Sequence, residues 1–314
     1  MLGTRLQGRA KHGCGVQFSP FDGNLIACSA SENYGISGSG TLYALECDPT
    51  RRNGLRERWH ADWTNALFDV AWSETDPNAV VTASGDTSLQ MWKTTGRGGP
   101  QQIYAGHRKE VASVRWNPIR TCPQHFVSGS WDGCVILWDP CLASPLANFM
   151  GHREPVYSVA WSPTMPETFS SVSGDCTLRI WSARSPNPMH SIRCHDADVL
   201  TCDWSKYDGN LVFTGSVDGQ VRGWDLRFLD KPAVVFLGHE MGVRQVKASP
   251  YDGHIVASCS YDFSVRLWNI ADGCCLATLN HHKEFTIGLD FNPHVNGEIC
   301  DCSWDEQICV YKPL

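Results

Sequence analysis

Histidine, serine and aspartate recur together along this chain, and these are the residue types of a hydrolase triad. One such set is His107, Ser128 and Asp132. In a hydrolase, the serine oxygen attacks the substrate while the histidine takes its proton. Similar sets follow at almost even spacing, however, and several near-copies of one active site make no chemical sense. We therefore expect the sets to be structural, with no catalytic residue among them.

The even spacing extends to other residues. The aspartates of the sets are 43 to 46 residues apart, at Asp86, Asp132, Asp175, Asp218, Asp262 and Asp305. A histidine precedes most of these aspartates and recurs at the same period, at His107, His152, His195, His239 and His282. A large aromatic residue follows the histidine, at Trp116, Trp161, Trp204 and Phe291. Several landmarks that share one period indicate a repeat protein.

Each repeat contains short runs rich in β-branched and aromatic residues, such as VILW and VRLW, bounded by Gly, Asp, Asn and Pro. Such runs predict β-strands joined by tight turns. The pattern resembles the WD-repeat family, in which each repeat forms one four-stranded blade of a propeller. The resemblance implies that the turn Asp, the loop His, a strand Ser and a strand Trp form one hydrogen-bonded chain. The matching residues in one repeat are His107, Ser128, Asp132 and Trp138.

Six clear repeats follow a divergent first one, which carries the insertion SENYGISGSG at 31–40 and lacks the turn Asp. We predict an all-β fold, a seven-bladed WD-repeat propeller that forms a single domain over 1–314. The last repeat has three strand-like runs, so we expect a strand from 1–10, around Leu2–Arg9, to close the ring. The predicted blades are roughly 11–58, 59–104, 105–149, 150–193, 194–237, 238–280 and 281–314 with 1–10.

The composition and the motifs of the chain limit the classes of function to consider. The net charge of −7 argues against nucleic acid as a partner, since phosphate binding needs clustered Lys and Arg. No apolar run approaches the ~18 residues of a membrane span. The 15 cysteines form no CxxC pair, which favours a reduced, cytosolic protein without disulfides or zinc. No motif for nucleotide, metal or nucleophilic catalysis occurs, so we expect no enzyme activity, cofactor or metal, and His281 is only a weak candidate ligand.

In repeat proteins the exposed positions that vary between repeats carry specificity. Such positions follow each landmark His or precede each turn Asp. They give a mostly apolar set with two acids, which favours binding of an amphipathic helix that carries cations. Two alternatives are that the aromatics pack against neighbouring loops and that the acids are merely solvated. The candidate binding residues are Phe68, Glu110, Trp131, Tyr157, Asp198, Leu200, Arg244, Tyr261, Phe285 and Trp304.

Some segments are not typical of WD repeats in general: NALFDVAWSE (65–74), LTCDWSKYDGNL (200–211), ASCSYDFSVRLWN (257–269), HHKEFTIGLDF (281–291) and DCSWDE (301–306). Together they resemble the WD-repeat receptors for the type-2 peroxisomal targeting signal. The resemblance implies a cytosolic receptor that cycles to the peroxisome and binds matrix cargo through an N-terminal amphipathic helix, Arg-Leu-x5-His-Leu. It also implies a co-receptor, either the long form of the type-1 signal receptor or a dedicated peroxin, and a docking complex.

The same resemblance matches Glu110 and Asp198 to acidic positions that face the cationic signal. Two other functions remain open from the sequence. One is a peptide-binding adaptor of a ubiquitin ligase or chromatin complex, and the other is a propeller enzyme. Recovery of peroxisomal matrix enzymes from cytosol, rather than ligase or histone-complex subunits, separates the first function from the second.

Overall fold

The computed structural model describes residues 2–5, 11–48, 54–96, 98–121 and 124–313, with 2–5 described by backbone pairing alone. Residues 6–10 of the segment expected to close the ring lie outside the described residues. Apart from one short 3-10 helix at Glu32–Gly35, the regular structure in these ranges is β-strand. The strands, numbered in chain order, form seven four-stranded antiparallel sheets.

Each sheet contributes one strand to each of four layers, counted from the centre outward. The innermost strands are β2 (His12–Phe18), β6 (Leu67–Trp72), β10 (Val111–Trp116), β14 (Val156–Trp161), β18 (Val199–Trp204), β22 (Val243–Ala248) and β26 (Thr286–Phe291). The second strands are β3 (Leu25–Ser31), β7 (Ala79–Ser84), β11 (Phe126–Ser130), β15 (Thr168–Ser173), β19 (Leu211–Ser216), β23 (Ile255–Ser260) and β27 (Ile299–Ser303).

The two outer layers complete the sheets. The third strands are β4 (Gly40–Cys47), β8 (Ser88–Lys93), β12 (Cys134–Trp138), β16 (Thr177–Ser182), β20 (Val221–Asp225), β24 (Val265–Asn269) and β28 (Gln307–Tyr311). The outermost strands are β5 (Leu55–Trp63), β9 (Gln102–Ala105), β13 (Ala147–Met150), β17 (His190–Arg193), β21 (Val234–Phe236), β25 (Cys275–Leu279) and β1 (Leu2–Arg5). We number the sheets as blades 1 to 7, starting with β2–β5.

The innermost strands contact one another in cyclic order, and β26 of blade 7 returns to β2 of blade 1. Blade 7 takes its outermost strand from the N-terminus, where Leu2 pairs with Val310 and Arg5 with Gln307. The prediction of a seven-bladed propeller closed by an N-terminal strand is therefore confirmed. Blade 1 extends to Trp63, beyond the approximate limit at 58, because β5 is longer than the other outermost strands.

The hydrophobic core lies between the blades rather than within them. It consists of seven clusters, each drawn from two neighbouring sheets, and the cluster between blades 1 and 7 contains Val16 and Ile26 packed with Cys300 and Ile308. Burial of these side chains on both faces of every sheet explains why the strands read as continuous apolar runs.

The triad-like sets hold the turns of the scaffold. In blade 3, His107 Nδ1 lies 3.1 Å from Asp132 Oδ2, and His107 Nε2 lies 2.7 Å from Ser128 Oγ. The indole N–H of Trp138 donates to the same hydroxyl at 2.8 Å. Blades 4, 5 and 6 repeat this arrangement. The serine oxygen is thus enclosed by the scaffold, as expected for a structural set.

Candidate functional site

Every innermost strand begins with a β-bulge at the same position. A bulge leaves one residue unpaired and turns its side chain away from the regular ladder. The register skips the residue after the first strand pair in blades 2 to 7 and the residue after the second pair in blade 1. The seven bulge residues are Cys14, Phe68, Ala112, Tyr157, Leu200, Arg244 and Ile287. Bulges at one level of all seven blades place these side chains around one end of the central channel.

A second set of residues forms a rim around the same end. In blade 3 the backbone N–H of Trp131, before the turn Asp, donates to the carbonyl of Glu110 at 2.9 Å. The same hydrogen bond recurs in five other blades. The loop that follows the landmark His position and the turn that contains the repeated Asp therefore meet at a fixed point. The other pairs, donor first, are Gly85 with Ala66, Gly174 with Pro155, Val217 with Asp198, Tyr261 with Gly242, and Trp304 with Phe285.

Bulge and rim residues enclose a cavity of about 570 Å³ at the mouth of the channel. This volume is typical of ligand sites, which are mostly apolar with a few polar groups. Phe68 and Trp131 stack with ring centroids 5.9 Å apart, and 36% of Trp131 remains exposed. The lining residues are Cys14, Tyr34, Gly35, Ile36, Asn65, Phe68, Gly85, Glu110, Trp131, Arg244, Tyr261, Ile287 and Trp304.

The insertion of blade 1 covers one side of this cavity. Its backbone is left-handed at Asn33 and Tyr34, and Gly35 follows with φ of 78°. A Cβ atom on Gly35 would stand 2.8 Å from the ring of Phe68, so only glycine allows this close approach. Ile36, next to it, is 86% exposed at the edge of the cavity.

Blades 1 and 7 hold the insertion in place. Tyr34 stacks on His12 with ring centroids 3.9 Å apart, and it lies 5.1 Å from the ring of Trp304. His12 Nδ1 donates to the carbonyl of Trp304 at 2.7 Å. Glu32 accepts the backbone N–H of Ser39 at 2.8 Å and pairs with Lys11 at 3.5 Å. The insertion is therefore an ordered wall of the cavity.

Two charged side chains line the cavity, Glu110 and Arg244. Neither forms a side-chain hydrogen bond or an ion pair with the residues that the structure describes. At the other end of the channel the charges are paired: Arg115 bonds Asp69 at 2.6 Å and Lys247 pairs with Asp290 at 3.2 Å. The mouth thus combines apolar walls with two charges of opposite sign that lack a partner among the described residues, a combination typical of ligand sites.

Comparison with known proteins agrees with this architecture. The family described as WD domain, G-beta repeat matches residues 98–139, 143–182, 186–225 and 230–269. The chain is 46% identical over 311 residues to the peroxisomal targeting signal 2 receptor of Mus musculus, covering 99% of this chain and 96% of that protein. The chain belongs to the family of peroxisomal targeting signal 2 receptors. The resemblance seen in the sequence is therefore confirmed.

Other members of the receptor family show how far the similarity extends. The Homo sapiens receptor is 46% identical over 304 residues, covering 96% of this chain and 93% of that protein. The Saccharomyces cerevisiae receptor is 34% identical over 262 residues, covering 74% and 68%. Within the described part of this family member, no helix is long and apolar enough to cross a membrane.

The structure brings together six of the ten residues predicted to contact a ligand. Phe68, Glu110, Trp131, Arg244, Tyr261 and Trp304 line the cavity. The other four lie outside its lining. Leu200 is only 6% exposed, so a ligand reaches little more than its edge. Phe285 supports two lining residues, with ring centroids 4.9 Å from Tyr261 and 5.1 Å from Trp304.

Tyr157 and Asp198 form a separate part of the mouth. The Tyr157 hydroxyl donates to Asp198 Oδ2 at 3.3 Å. Burial, together with the nearby Asp198 carboxylate, raises the pKa of Tyr157 to about 12. Tyr157 therefore stays protonated, and its hydroxyl holds the carboxylate at the rim. The other oxygen of Asp198 accepts no hydrogen bond from the described residues.

Sequence reasoning missed the contribution of the insertion. Tyr34, Gly35 and Ile36 line the cavity, yet the sequence alone identified this segment only as an insertion in the divergent first repeat. A usable signal was present, because an aromatic and a branched apolar residue within a Gly- and Ser-rich loop are typical of contact residues rather than spacers.

His281 and His282 lie in a buried cluster with Asp301 and Cys309, and the potential metal-ligating atoms are within 4.8 Å of one another. The cluster is held by internal hydrogen bonds. His281 and His282 each donate to Asp301, at 2.9 Å and 3.0 Å, and Tyr311 donates to it at 2.6 Å. Because these donors engage both oxygens of Asp301, we interpret the cluster as part of the scaffold.

Proposed function

We propose that the chain is an import receptor that binds the N-terminal type-2 targeting signal of peroxisomal matrix proteins in the cavity and on its rim. The signal is an amphipathic helix of the form Arg-Leu-x5-His-Leu. The observation that carries the proposal is the cavity itself, in which stacked aromatics stand beside the unpaired carboxylate of Glu110. Membership of the receptor family supports the same assignment.

The two kinds of side chain have separate tasks in this proposal. The apolar stripe of the helix packs on Trp131, Phe68 and the rings of blade 7, since burial of aromatic surface supplies most binding energy at such sites. The cationic residues of the signal face Glu110 and Asp198. These acids fix the register of the helix and speed its association more than they add to affinity, because the rim is wet.

Delivery requires further partners in the same proposal. A co-receptor, the long form of the type-1 signal receptor or a dedicated peroxin, covers the bound signal and brings the complex to the docking complex. The receptor then works in the cytosol and cycles to the peroxisome. It acts as a binding protein and not as an enzyme, because the histidines of the repeated sets are engaged in the scaffold.

Peptide titration tests the proposal. A fluorescent Arg-Leu-x5-His-Leu peptide is titrated with the protein by anisotropy, with and without co-receptor. A peptide of equal composition and scrambled order is the control. Saturable binding of the signal alone, tightened by the co-receptor, supports the proposal. Equal affinity for the scrambled peptide, or recovery from cytosol of ubiquitin-ligase or histone-complex subunits in place of matrix enzymes, contradicts it.

A further inference from the structure

Arg244 is the one charged residue among the seven bulge residues. It stands at the bulge of β22 next to Val243, which is fully buried, so its backbone is fixed by the core. Arg244 lines the cavity, and its side chain forms no hydrogen bond or ion pair with any described residue. An arginine carries five N–H donors, and one directed into an apolar cavity without an acceptor is available to a ligand.

The neighbouring bulge residues provide no negatively charged acceptor for Arg244. Cys14 and Ile287 line the same side of the cavity. Burial raises the pKa of the Cys14 thiol to about 12, so it does not supply a thiolate for Arg244. The channel acids Asp203 and Asp290 are paired with Lys206 and Lys247 instead. Arg244 therefore lacks a counterion within the described structure.

The position of Arg244 relative to Glu110 defines what the ligand must carry. Glu110 belongs to the loop that enters blade 3, and Arg244 belongs to blade 6. Three steps around a ring of seven blades place them on nearly opposite sides of the mouth. A helix lying across the cavity meets the carboxylate at one side and the guanidinium at the other. The complementary helix therefore bears a cation and an anion on the same face.

We propose that Arg244 binds a carboxylate of the bound signal, supplied by an Asp or Glu at one of the five unspecified positions between its Leu and its His. The inference rests on the proposed function of this site. The planar fork of arginine matches the two oxygens of a carboxylate, which makes this pairing more selective than a bond to a neutral amide. Arg244 thereby orients the helix and selects among cargoes that share the Arg-Leu and His-Leu residues.

Paired peptides test this selection. Five pairs of Arg-Leu-x5-His-Leu peptides carry either Glu or Gln at one of the five positions and are otherwise identical. For the wild-type protein, we expect one pair to show a preference for Glu on the order of tenfold. Arg244→Gln should remove that preference, and Arg244→Glu should make a Lys peptide bind better than the Glu peptide at the same position.

Two further variants serve as controls. Arg244→Lys keeps the charge but lacks the fork, so it should retain only part of the preference. Arg153→Gln removes one positive charge from an exposed loop of the same face outside the cavity, and it should leave the preference unchanged. Thermal melts confirm that each variant is folded, which we expect because Arg244 contributes no hydrogen bond or ion pair to the described structure.

The outcomes separate this inference from the proposed function. If no signal peptide binds the wild-type protein, the proposed function itself is wrong. If all peptides bind and Glu and Gln are equivalent at every position, or the preference persists in Arg244→Gln, the inference about Arg244 is wrong. Loss of co-receptor recruitment in Arg244→Gln without any Glu preference would also overturn it, because the carboxylate would then come from the co-receptor.

Discussion

Nε2 of His282 lies 3.0 Å from Oδ1 of Asp301, whereas the equivalent nitrogen in blades 3 to 6 faces a serine or threonine hydroxyl. A hydroxyl can donate to imidazole, but an ionised carboxylate only accepts. His282 Nδ1 meets a second carboxylate, Asp305, at 3.0 Å. His282 must therefore donate from both nitrogens, so blade 7 is held by a buried imidazolium between two acids.

Because of this arrangement, the stability of the fold should decrease at alkaline pH. Burial acts to lower the pKa of His282, but its bonds to Asp301 and Asp305 outweigh burial and raise the pKa to about 9. A histidine whose pKa is higher in the folded state than in the unfolded chain stabilises the fold. This contribution is complete below the pKa of the unfolded chain, near 6.5, and it disappears as the pH rises through 9. We expect the free energy of unfolding in urea to fall by about 3 kcal/mol between pH 6 and pH 10.

The matched variant is Asp301→Ser, which gives blade 7 the hydroxyl found in its neighbours. A serine can donate to His282, so the neutral imidazole is then satisfied and the loss of stability above pH 7 should become shallower. If the variant loses as much stability at alkaline pH as the wild-type protein, the pH dependence comes from other groups.

Asp132 should matter for stability and not for binding. Its carboxylate accepts hydrogen bonds from His107 and from the backbone N–H groups of Arg108 and Cys134. Asp132→Ala leaves these donors unpaired and should lower the free energy of unfolding by about 2 kcal/mol. Asp272→Ala is the control, because that exposed carboxylate accepts a single turn bond from Cys274. Weakened signal binding by a fully stable Asp132→Ala protein would show that Asp132 contacts the ligand.

Strand β1 should be needed for the stability of the whole ring. Leu2–Arg5 supplies the fourth strand of blade 7, and without it β28 becomes an exposed edge. Deletion of residues 2–5 should lower the melting temperature and increase amide hydrogen exchange in β28 more than in β12, the matching strand of blade 3. A truncated protein that melts at the wild-type temperature would contradict a stabilising role for this closure.

The sequence was sufficient for the scaffold because the repeated residues serve the scaffold. Asp132 and His107 recur at one period, so their roles follow from the period and from turn chemistry. The rim positions also followed from counting, since Trp131 precedes Asp132 and Glu110 follows His107 by three residues. The same count found Phe68 and Arg244, although the bulge that places them at the mouth is visible only in the strand register.

The insertion and blade 7 could not be predicted in the same way, because they depart from the repeat. The position of Tyr34 depends on left-handed backbone at two non-glycine residues and on stacking with His12. The role of Asp301 depends on His281, His282 and Tyr311 meeting at one carboxylate. Contacts of this kind join segments that are distant in sequence, so local propensity does not reveal them.

Trp131 should be a hot spot for signal binding. It is partly exposed at the mouth and rests on Phe68, so its indole can cover the apolar stripe of a helix. Trp131→Ala should weaken peptide binding by about 2 kcal/mol, with a melting temperature close to wild type. Tyr207→Ala is the control, since Tyr207 is an exposed aromatic in a loop between β18 and β19, outside the cavity lining. Equal binding by Trp131→Ala and wild type in anisotropy titrations would exclude Trp131 from the contact surface.

Charge reversal at the two rim acids should nearly abolish binding of the cationic signal. In the double variant Glu110→Lys with Asp198→Lys, two lysines on either side of Tyr157 repel the cationic signal, whereas the two acids attract it. A signal in which Arg is changed to Glu should regain part of its affinity for this variant, whereas wild type should lose affinity for it. Asp230→Lys with Asp272→Lys makes the same change in net charge on exposed loops between the third and outermost strands of blades 5 and 6, at the other end of the channel. At about 0.15 M salt, screening acts over roughly 8 Å, so this control should bind the signal almost normally. Unchanged affinity in the folded Glu110 and Asp198 variant would place the signal elsewhere on the propeller.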